Sequence, residues 1–282
     1  MDFQIQKISA KPQKISLRSF SKINFALWIK EKRPDGYHEI ETIFYENKDL
    51  YDEIEVDFTE GIKLDISVLF SDQNLDKRIL LQNNLAYKAA SAFLNKIGVV
   101  GSCQIKIKKQ IPMEAGLGGG SSNAAFVLKA LNEIFDYPLH QSELLNIAAR
   151  IGSDVSFFII GETCLGNGRG EILKKLENNL SLEIKIVKPQ NISVSTKWAY
   201  ELIDGREFIP SHSDEIKSLI NAMKKGDYNL FCKNLFNDFE NIIFSNFPDL
   251  IKLRNNLLKE GFSAVGLCGS GSALYAIKPK TN

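Results

Sequence analysis

The segment Gly116–Ser122 has a composition that suits it to holding phosphate groups. Its sequence, GLGGGSS, places four glycines within five residues and follows them with two serines. Glycine leaves the backbone bare, so several N–H groups can approach phosphate oxygens, and the serine hydroxyls add donors or a metal contact. Strand-like alternation precedes this loop at Cys103–Lys108, and helical spacing follows it from about Ser121. Because the first turn of a helix carries partial positive charge, this arrangement favours an anion.

A tight turn capped by serine is the plain alternative for this loop, and a single Gly-x-Gly would favour it. The density of glycine and the paired serines favour phosphate binding instead. Two better-known phosphate motifs are excluded. The Walker A motif ends in Gly-Lys-Ser/Thr, whereas no Gly-Lys pair occurs in the chain. The dinucleotide fingerprint requires glycine or alanine at the position that Ser121 occupies.

Two charged residues stand among apolar neighbours and are candidates for catalysis. Asp154 precedes the apolar run Val155–Ile160, so a buried element could hold its carboxylate at a site and tune its basicity. The local pattern alone favours a helix N-cap for Asp154. Lys22 lies between Phe20 and Ile23, where a lone lysine is usually a surface residue with a buried stem.

A turn is predicted at Asp35-Gly36, a residue pair that favours reversal of the chain. Tyr37 and His38 follow this turn directly. On local pattern alone they could be ordinary surface aromatics, so their interpretation depends on what surrounds them.

The sequence predicts that a mixture of strands and helices positions these residues. Period-two alternation predicts strands in the stretches EIEVDF, KLDISVLF, CQIKIKK and LEIKIV. Helical spacing occurs at Asn84–Asn95, after the glycine loop, and in two later stretches, SDEIKSLINAMKKGD and FPDLIKLRNNLLKEG. Ser213 is a predicted N-cap, Gly226 a predicted stop, and the polar stretch Asn191–Asp214 is interpreted as surface connections. Without a strict βαβ rhythm, the class expected is α+β.

The composition is that of an ordinary globular protein. The chain has 282 residues, of which 44% are hydrophobic, and 35 basic residues nearly balance 34 acidic ones. This balance argues against a nucleic-acid or anionic-membrane partner. The four cysteines and three histidines are scattered, which favours buried free thiols over a disulfide framework or a zinc site. No apolar run of membrane-spanning length and no secretory leader is visible, so a cytoplasmic location is expected.

Four segments together resemble the GHMP kinase superfamily, named for galactokinase, homoserine kinase, mevalonate kinase and phosphomevalonate kinase. The loop PMEAGLGGGSSNAA resembles its phosphate-binding motif. The segment SFSKINFALWIKEKRPDGYHEIETIF, with RPDGYHE as its specific part, is similar to the 4-diphosphocytidyl-2-C-methyl-D-erythritol kinases within that superfamily. IGSDVSFFIIGETCLGNGRGEIL resembles the segment with the catalytic aspartate, and GLCGSGSALYAI the third glycine motif.

The resemblance implies an α+β, two-domain GHMP kinase fold. The N-terminal, ATP-binding domain (1–176) would be ribosomal protein S5 domain 2-like, and the C-terminal domain (177–282) ferredoxin-like. The boundary falls in the polar stretch around Lys174–Leu180. The implied reaction is ATP-dependent phosphorylation of the 2-hydroxyl of 4-diphosphocytidyl-2-C-methyl-D-erythritol, in the non-mevalonate (MEP) isoprenoid precursor pathway. ATP and Mg²⁺ are the implied cofactors, and no obligate protein partner is expected.

The resemblance also assigns roles to residues. Lys22 and Asp154 would be catalytic, with Asp154 as the base and Lys22 the cation beside it. ATP phosphates would be bound by the loop residues Pro112, Gly116, Leu117, Gly118, Gly119, Gly120, Ser121 and Ser122, with Ser122 also a Mg²⁺ ligand. The resemblance assigns substrate binding to Asn24, Tyr37, His38, Thr196, Tyr200, Gly269, Ser270 and Gly271. Tyr37 would stack on the cytosine ring, and His38 would form a hydrogen bond with the edge of that ring. Trp198 is an alternative residue for stacking on the cytosine.

Two departures and three alternatives accompany this interpretation. Glu114 stands where the family commonly has a small residue and would add negative charge near the phosphates, and Asn123 replaces a more usual aspartate.

The first alternative is a GHMP kinase that acts on another alcohol, of the homoserine or mevalonate type. Such a substrate would give no reason for the DGYHE turn. A noncatalytic nucleotide-binding regulator on the same fold would have no need of both Lys22 and Asp154. The charge balance argues against an RNA-binding module.

Overall fold

The computed structural model describes residues 13–71, 81–206 and 211–280. The chain divides into two compact units, and each unit is built from separated segments. The first unit takes residues up to Phe20, together with Leu50–Ile111 and Gly119–Ile159. The second takes Ser21–Asp49, Pro112–Gly118 and the residues from Ile160 onward. The long strands β1 (Gln13–Lys32) and β2 (His38–Glu60), which are neighbours in the sheet, therefore contribute to both units.

Within the described residues, two further strands, one 3₁₀ turn and four α-helices complete the first unit. In chain order they are β3 (Asp65–Phe70), a 3₁₀ turn (Leu81–Asn83), α1 (Leu85–Ile97), β4 (Gly101–Lys108), α2 (Gly119–Ile134), α3 (Gln141–Ile151) and α4 (Val155–Ile160, of which the last residue belongs to the second unit).

The strands of this unit pair so that the apolar residues of their alternating patterns lie opposite one another. β2 runs antiparallel to β4, with Ile54 opposite Ile107 and Val56 opposite Ile105. All four side chains are buried, because alternate residues of a strand point to the same face. β3 lies parallel to β4 on its other side, which places its residues on the same sheet.

Helices α1 and α2 cover the buried face of these strands. Asn84 caps α1 through a 2.8 Å bond from the Ala86 N–H to its side-chain oxygen, and Gly98 ends the helix in the left-handed region at φ 69°. Phe93 of α1 stacks on Phe135, whose ring also meets Phe58 of β2 edge-on with centroids 5.0 Å apart. The aromatic contacts thus tie the two layers together.

A buried carboxylate joins β2, the exit of β4 and helix α2. Asp52 is fully buried, and its Oδ1 accepts the N–H groups of Gln110 and Ile111 at 2.8 and 2.9 Å. Its Oδ2 accepts from Lys109 Nζ at 2.5 Å and from Asn123 Nδ2 at 2.8 Å. A buried charge is tolerable when it is paired and fully hydrogen-bonded, and these four donors meet that requirement.

The second unit contains a separate three-stranded antiparallel sheet, in which β10 (Leu274–Pro279) lies between β7 (Leu182–Val187) and β9 (Ala264–Leu267). Its elements are β5 (Thr163–Asn167), β6 (Ile172–Lys175), β7 (Leu182–Val187), α5 (Thr196–Asp204), α6 (Ser213–Lys225), α7 (Tyr228–Lys233), β8 (Phe236–Asn237), α8 (Glu240–Asn246), α9 (Pro248–Lys259), β9 (Ala264–Leu267) and β10 (Leu274–Pro279). β5 pairs antiparallel with β2 and β6, and β8 pairs parallel with β1.

The core of this unit lies between helices α5, α8 and α9 and strands β1, β9 and β10. Ile29, Phe239, Ile243, Leu250 and Leu267 are all at most 1% exposed. Burying a leucine, isoleucine or phenylalanine side chain contributes about 1.5–3 kcal/mol each, so this cluster fixes where α5 lies. Helix α5 matters for the site because it carries Tyr200 and Asp204.

The α+β class is confirmed, and the stretches with period-two alternation are strands. Three local predictions were wrong. Helix α2 begins at Gly119 rather than near Ser121, so the last two glycines form its first turn. His212, not Ser213, occupies the N-cap position of α6, although Gly226 ends that helix as predicted at φ 68°. The stretch Asn191–Asp214, interpreted as surface connections, contains helix α5.

All four cysteines lie within the described residues and are free thiols, and Cys103, Cys164 and Cys268 are buried, as expected. Burial raises the pKa of Cys268 to about 12. In the ranges that the structure describes, no helix is both long and apolar enough to cross a membrane.

We predict that Asp52→Ala lowers the free energy of unfolding by about 3 kcal/mol, since it leaves Lys109 and the two N–H groups without their acceptor. Glu53→Ala is the matched control, because Glu53 is adjacent but half exposed, and we expect a change below about 0.5 kcal/mol. Urea unfolding followed by circular dichroism measures both. Equal losses for the two variants would contradict the role given to Asp52.

Candidate active site

The first part of the glycine loop, Pro112–Gly118, belongs to the second unit and packs backbone to backbone against the third glycine motif. Gly116 has φ +74°, and a Cβ there would lie 1.7 Å from the carbonyl oxygen of Cys268. A Cβ on Gly269 would likewise lie 3.0 Å from the Gly116 carbonyl oxygen. Only glycine permits this approach at Gly116, so two of the segments with glycine motifs form one surface.

Lys22 lies at this surface. Its backbone N–H donates to the Leu117 carbonyl at 3.0 Å, which ties β1 to the loop. Its ammonium group is buried and donates to Asn24 Oδ1 at 2.8 Å, while Asn24 Nδ2 donates to Thr42 Oγ1 at 2.8 Å. A Cβ on Gly269 would lie 3.3 Å from Lys22 Nζ. The structure therefore brings together Lys22, Asn24 and the third glycine motif, all predicted from sequence.

The second part of the loop, Gly119–Ser122, is the first turn of α2 and belongs to the first unit. Its N–H groups are helix-terminal donors of the kind that bind anions. The Ser122 hydroxyl is buried and lies 2.7 Å from Ser19 Oγ, whereas Ser121 is only partly buried. Asn123 Nδ2 also bonds to Ser19 Oγ, at 3.0 Å. These bonds hold the first turn of the helix in place.

Lys109 is a residue that sequence reasoning missed. It follows β4 directly, and a Cβ on Gly119 would lie 3.0 Å from its Nζ, so a cation sits beside the first residue of α2. Besides Asp52, its ammonium group also donates to Asn123 Oδ1, at 3.2 Å. The available signal was the break in alternation, since Lys106 and Lys108 occupy the outward positions of β4 and Lys109 does not continue the strand.

Asp154 lies in the turn that directly precedes α4 and is partly buried. The Val155 N–H donates to the Gly152 carbonyl at 3.1 Å, and this closes the turn around Asp154. A Cβ on Gly152 would lie 4.0 Å from Ser121 Oγ. The segment that carries Asp154 is thus a neighbour of the loop serines within the first unit, whereas Lys22 belongs to the second unit.

The predicted turn at Asp35-Gly36 is present and joins β1 to β2. Gly36 has φ +84°, and the Arg33 N–H donates to the Tyr37 carbonyl at 2.7 Å. The ring of Tyr37 is half exposed, with the guanidinium group of Arg169 4.8 Å from its centroid. An exposed aromatic face beside a cation can stack on a planar heterocycle.

His38, the next residue, is buried and held from two sides by α5. Its ring stacks on Tyr200 with centroids 5.0 Å apart and 21° between the planes. Its Nε2 lies 2.8 Å from Asp204 Oδ1, and Lys32 Nζ donates to Asp204 Oδ2 at 2.5 Å. Burial lowers the pKa of His38 below its usual 6.5, against an opposing effect of Asp204. Sequence reasoning missed Asp204, although it lies four residues after Tyr200 and so on the same helix face.

Thr196 and Ser270, both predicted substrate contacts, meet through their hydroxyls at 2.9 Å. Ser272, from the same glycine motif, donates to the Ile192 carbonyl at 2.7 Å. The start of α5 is therefore fixed to the third glycine motif. Trp198, the alternative stacker, packs against Phe247 beside the core of the second unit.

Glu114 has a left-handed backbone at φ 51°, and its carboxylate accepts a hydrogen bond from the Ser193 hydroxyl. This contact gives the unusual acid a partner outside the loop. It also fixes the loop to the segment that leads into α5.

Known proteins that resemble this chain agree on one family. The model of the GHMP kinases N terminal domain matches residues 84–162, and that of the GHMP kinases C terminal domain matches residues 219–282. The chain is 35% identical over 267 residues to a 4-diphosphocytidyl-2-C-methyl-D-erythritol kinase of Thermodesulfovibrio yellowstonii, covering 93% of this chain and 89% of the relative. It is 36% identical over 269 residues to the kinase of that name in Brevibacillus brevis, covering 95% and 88%. The chain belongs to the 4-diphosphocytidyl-2-C-methyl-D-erythritol kinase family.

Solved structures agree with this membership. A crystal structure of a 4-(cytidine 5'-diphospho)-2C-methyl-D-erythritol kinase matches with TM-score 0.73 and 31% identity, covering 93% of this chain and 90% of that one. A homoserine kinase from Cytophaga hutchinsonii matches with TM-score 0.77 but 16% identity, covering 99% and 88%, and so shows the fold alone. The chain thus has the α+β, two-domain GHMP kinase fold, and it is an ATP-dependent small-molecule kinase.

The part of the chain that the structure describes contains no group of three or more His, Cys, Asp or Glu side chains placed to hold a metal ion.

We predict that Gly116→Ala destabilises the protein by about 3 kcal/mol, because the new Cβ meets the Cys268 carbonyl and the backbone must keep a left-handed conformation. Gly205→Ala is the control, since Gly205 has φ −82° and a Cβ there would lie 3.7 Å from its nearest neighbour. Thermal unfolding and ATP binding by calorimetry measure both variants. A Gly116→Ala protein with unchanged melting temperature and ATP affinity would show that this contact is dispensable.

Proposed function

We propose that this protein transfers the γ-phosphoryl group of ATP to the 2-hydroxyl of 4-diphosphocytidyl-2-C-methyl-D-erythritol, a step of the MEP isoprenoid precursor pathway. The observation that carries this proposal is identity of 35–36% over nearly the whole chain with several kinases named for that substrate. The hairpin end with Tyr37 and His38 supports it, because a substrate without a heterocyclic base would not use it.

The phosphates of ATP would be bound by backbone N–H groups of Gly116–Gly120 and by Ser121, with Pro112 and Leu117 shaping the loop. Close packing of Gly116 on Cys268 and the bonds of Ser122 and Asn123 to Ser19 pre-form this loop. A pre-formed site costs less to organise when the ligand binds. Lys109, beside the first residue of α2, would add positive charge.

Asp154 would accept the proton of the substrate hydroxyl as its oxygen forms a bond to the γ-phosphorus. The bond from that phosphorus to the bridging oxygen then breaks, and ADP leaves with the electron pair. Lys22, buried and oriented by Asn24, would stabilise charge on the transferring group. Asn24 itself, together with Gly269, Ser270 and Gly271, would contact the polar part of the substrate.

The base of the substrate would lie at the hairpin end of the second unit. Tyr37 offers a half-exposed ring, and His38, the next residue, would offer a ring nitrogen. Tyr200 and Thr196 of α5 would complete the pocket, the former through its stack with His38 and the latter beside Ser270.

Mg²⁺, when bound, would supply positive charge that offsets the charge of the phosphates during phosphoryl transfer. Ser122 stays the predicted protein ligand. Its hydroxyl is buried against Ser19 Oγ, so ligation would require that hydrogen bond to be exchanged or shared. Ser121, less buried, has the same donor chemistry at the same helix terminus.

We further propose two domains, 1–176 and 177–282, and a cytoplasmic enzyme that acts on a small molecule without nucleic acid, membrane or obligate protein partner. The two family-model matches, 84–162 and 219–282, fall one on each side of the proposed boundary. The near balance of 35 basic and 34 acidic residues supports a small-molecule partner over a polyanion.

The substrate assignment predicts ADP release with 4-diphosphocytidyl-2-C-methyl-D-erythritol and little with homoserine or mevalonate. The three alcohols would be compared at equal concentration in a coupled ADP assay with Mg²⁺. We expect kcat/KM for the cytidylyl substrate to exceed the others by at least about a thousandfold, since several binding contacts are lost. Turnover of homoserine or mevalonate, but not of the cytidylyl substrate, would overturn the assignment.

Asp154→Asn is expected to lower kcat by about a hundredfold or more while leaving ATP binding unchanged, because it removes the proton acceptor but little volume. Asp136→Asn is the matched control, as Asp136 is an exposed turn residue of the same unit with φ 59°, which asparagine also adopts. Steady-state kinetics and nucleotide calorimetry separate the two effects. Wild-type turnover in Asp154→Asn would remove Asp154 from the role of base.

A further inference from the structure

We propose that Asp204 is a positioning residue that holds His38 as its Nε2–H tautomer, so that Nδ1 accepts a hydrogen bond from the exocyclic amine of the substrate base. Asp204 would thereby set the preference for an aminopyrimidine, cytosine, over its keto counterpart, uracil. This inference rests on the proposed function, and it assigns a determinant of specificity to a residue outside the motifs that carry the family resemblance.

Asp204 is an ionised carboxylate. Lys32 Nζ lies 2.5 Å from Oδ2, and this hydrogen bond is the main cause that lowers the pKa of Asp204. A carboxylate has only acceptor oxygens. The contact of 2.8 Å between Oδ1 and His38 Nε2 therefore requires a hydrogen on Nε2.

The imidazole of His38 is neutral near pH 7. His38 is buried, and desolvation, supported by the charges of Lys32 on β1 and Arg206 after α5, lowers its pKa below 6.5 although Asp204 opposes this. A neutral ring with its hydrogen on Nε2 has a bare Nδ1, which is an acceptor. Within the ranges that the structure describes, no protein group bonds to Nδ1.

The ring of His38 cannot turn freely. Tyr200 covers one face of His38, and the ring of Tyr200 in turn meets Phe239 edge-on at 5.0 Å in the core of the second unit. The Ser195 cap fixes the start of α5, and Asp204 fixes the edge of the imidazole. A ring held by both its face and its edge presents Nδ1 in one direction.

A fixed acceptor distinguishes the two bases because cytosine carries an amine, a donor, where uracil carries a carbonyl, an acceptor. Two facing acceptors leave a polar group unpaired, and sites built for a hydrogen bond discriminate strongly for that reason. A purely structural role explains Asp204 less well. It is partly exposed, and its ion pair with the half-exposed Lys32 is of a kind that adds little stability.

The first experiment compares Asp204→Ala with Glu201→Ala, an exposed carboxylate on the same helix that does not touch His38. The substrates are 4-diphosphocytidyl-2-C-methyl-D-erythritol and its uridine counterpart. We expect the ratio of their kcat/KM values to fall by about tenfold in Asp204→Ala, with KM for ATP unchanged, as for the loss of one directed hydrogen bond. Asp204→Asn, whose side-chain oxygen still accepts from Nε2–H, should recover part of the ratio. An unchanged ratio in Asp204→Ala would overturn the inference.

The second experiment reads the tautomer directly and does not depend on turnover. The chain has three histidines, so ¹⁵N-edited spectra of the ring nitrogens can be assigned with a His38→Gln variant. We expect the Nε2–H form for His38 at pH 7.5 in the wild type and a mixture of tautomers in Asp204→Ala. An Nδ1–H form or an imidazolium in the wild type would overturn the inference. Absence of turnover with the cytidylyl substrate in the wild type would instead contradict the proposed function.

The pH dependence supplies a third test. When His38 gains a proton, Nδ1 becomes a donor, so KM for the cytidylyl substrate should be flat above about pH 6.5 and rise as the pH falls through the lowered pKa. Removing the Asp204 charge removes a stabiliser of the imidazolium, so the rise should move to lower pH in Asp204→Ala. The profile of Glu201→Ala should match the wild type. Identical profiles in all three proteins would contradict the coupling.

Discussion

The close approach of Gly116 to the Cys268 carbonyl is the contact on which the candidate site depends. A Cβ at Gly116 would lie only 1.7 Å from that carbonyl oxygen. The glycine loop and the third glycine motif can therefore meet only where Gly116 has no side chain. Lys22 is fixed to the same surface by its N–H bond to Leu117. One steric condition thus positions backbone donors and a cation together, and no flexible side chain has to be ordered to achieve it.

The glycine loop is divided between the two compact units, because Gly118 belongs to the second unit and Gly119 to the first. Its second part is the first turn of α2, held by the Ser19, Ser122 and Asn123 bonds, and its first part is held by the third glycine motif. The buried Asp52 extends this support to the exit of β4 through its bonds to Gln110 and Ile111. Each part of the glycine loop is therefore anchored by contacts within its own unit.

At the hairpin end, charged side chains fix the tautomer of the neutral His38 imidazole. Lys32 and Asp204 together define which nitrogen of His38 carries hydrogen, and Tyr200 defines the plane of the ring. Helix α5 supplies both contacts and is itself held by Thr196 and by the core around Phe239. A polar stretch that looked like surface connections is thus the element that organises the proposed base pocket.

The sequence by itself determined the features that depend on neighbouring residues. Period-two alternation predicted the strands, the Asp35-Gly36 pair predicted the hairpin turn, and the glycine run predicted a loop that leads into a helix, because each is a property of a short stretch of backbone. The sequence also indicated the family, since Lys22, Asp154 and the RPDGYHE stretch can be matched residue by residue to the motifs of that family. The tertiary structure alone decided that Gly116 packs on Cys268 and that Lys109 lies beside Gly119. It also decided that Asp204 holds His38. Those contacts join residues far apart in the chain, and no local pattern encodes which distant segments will share a surface.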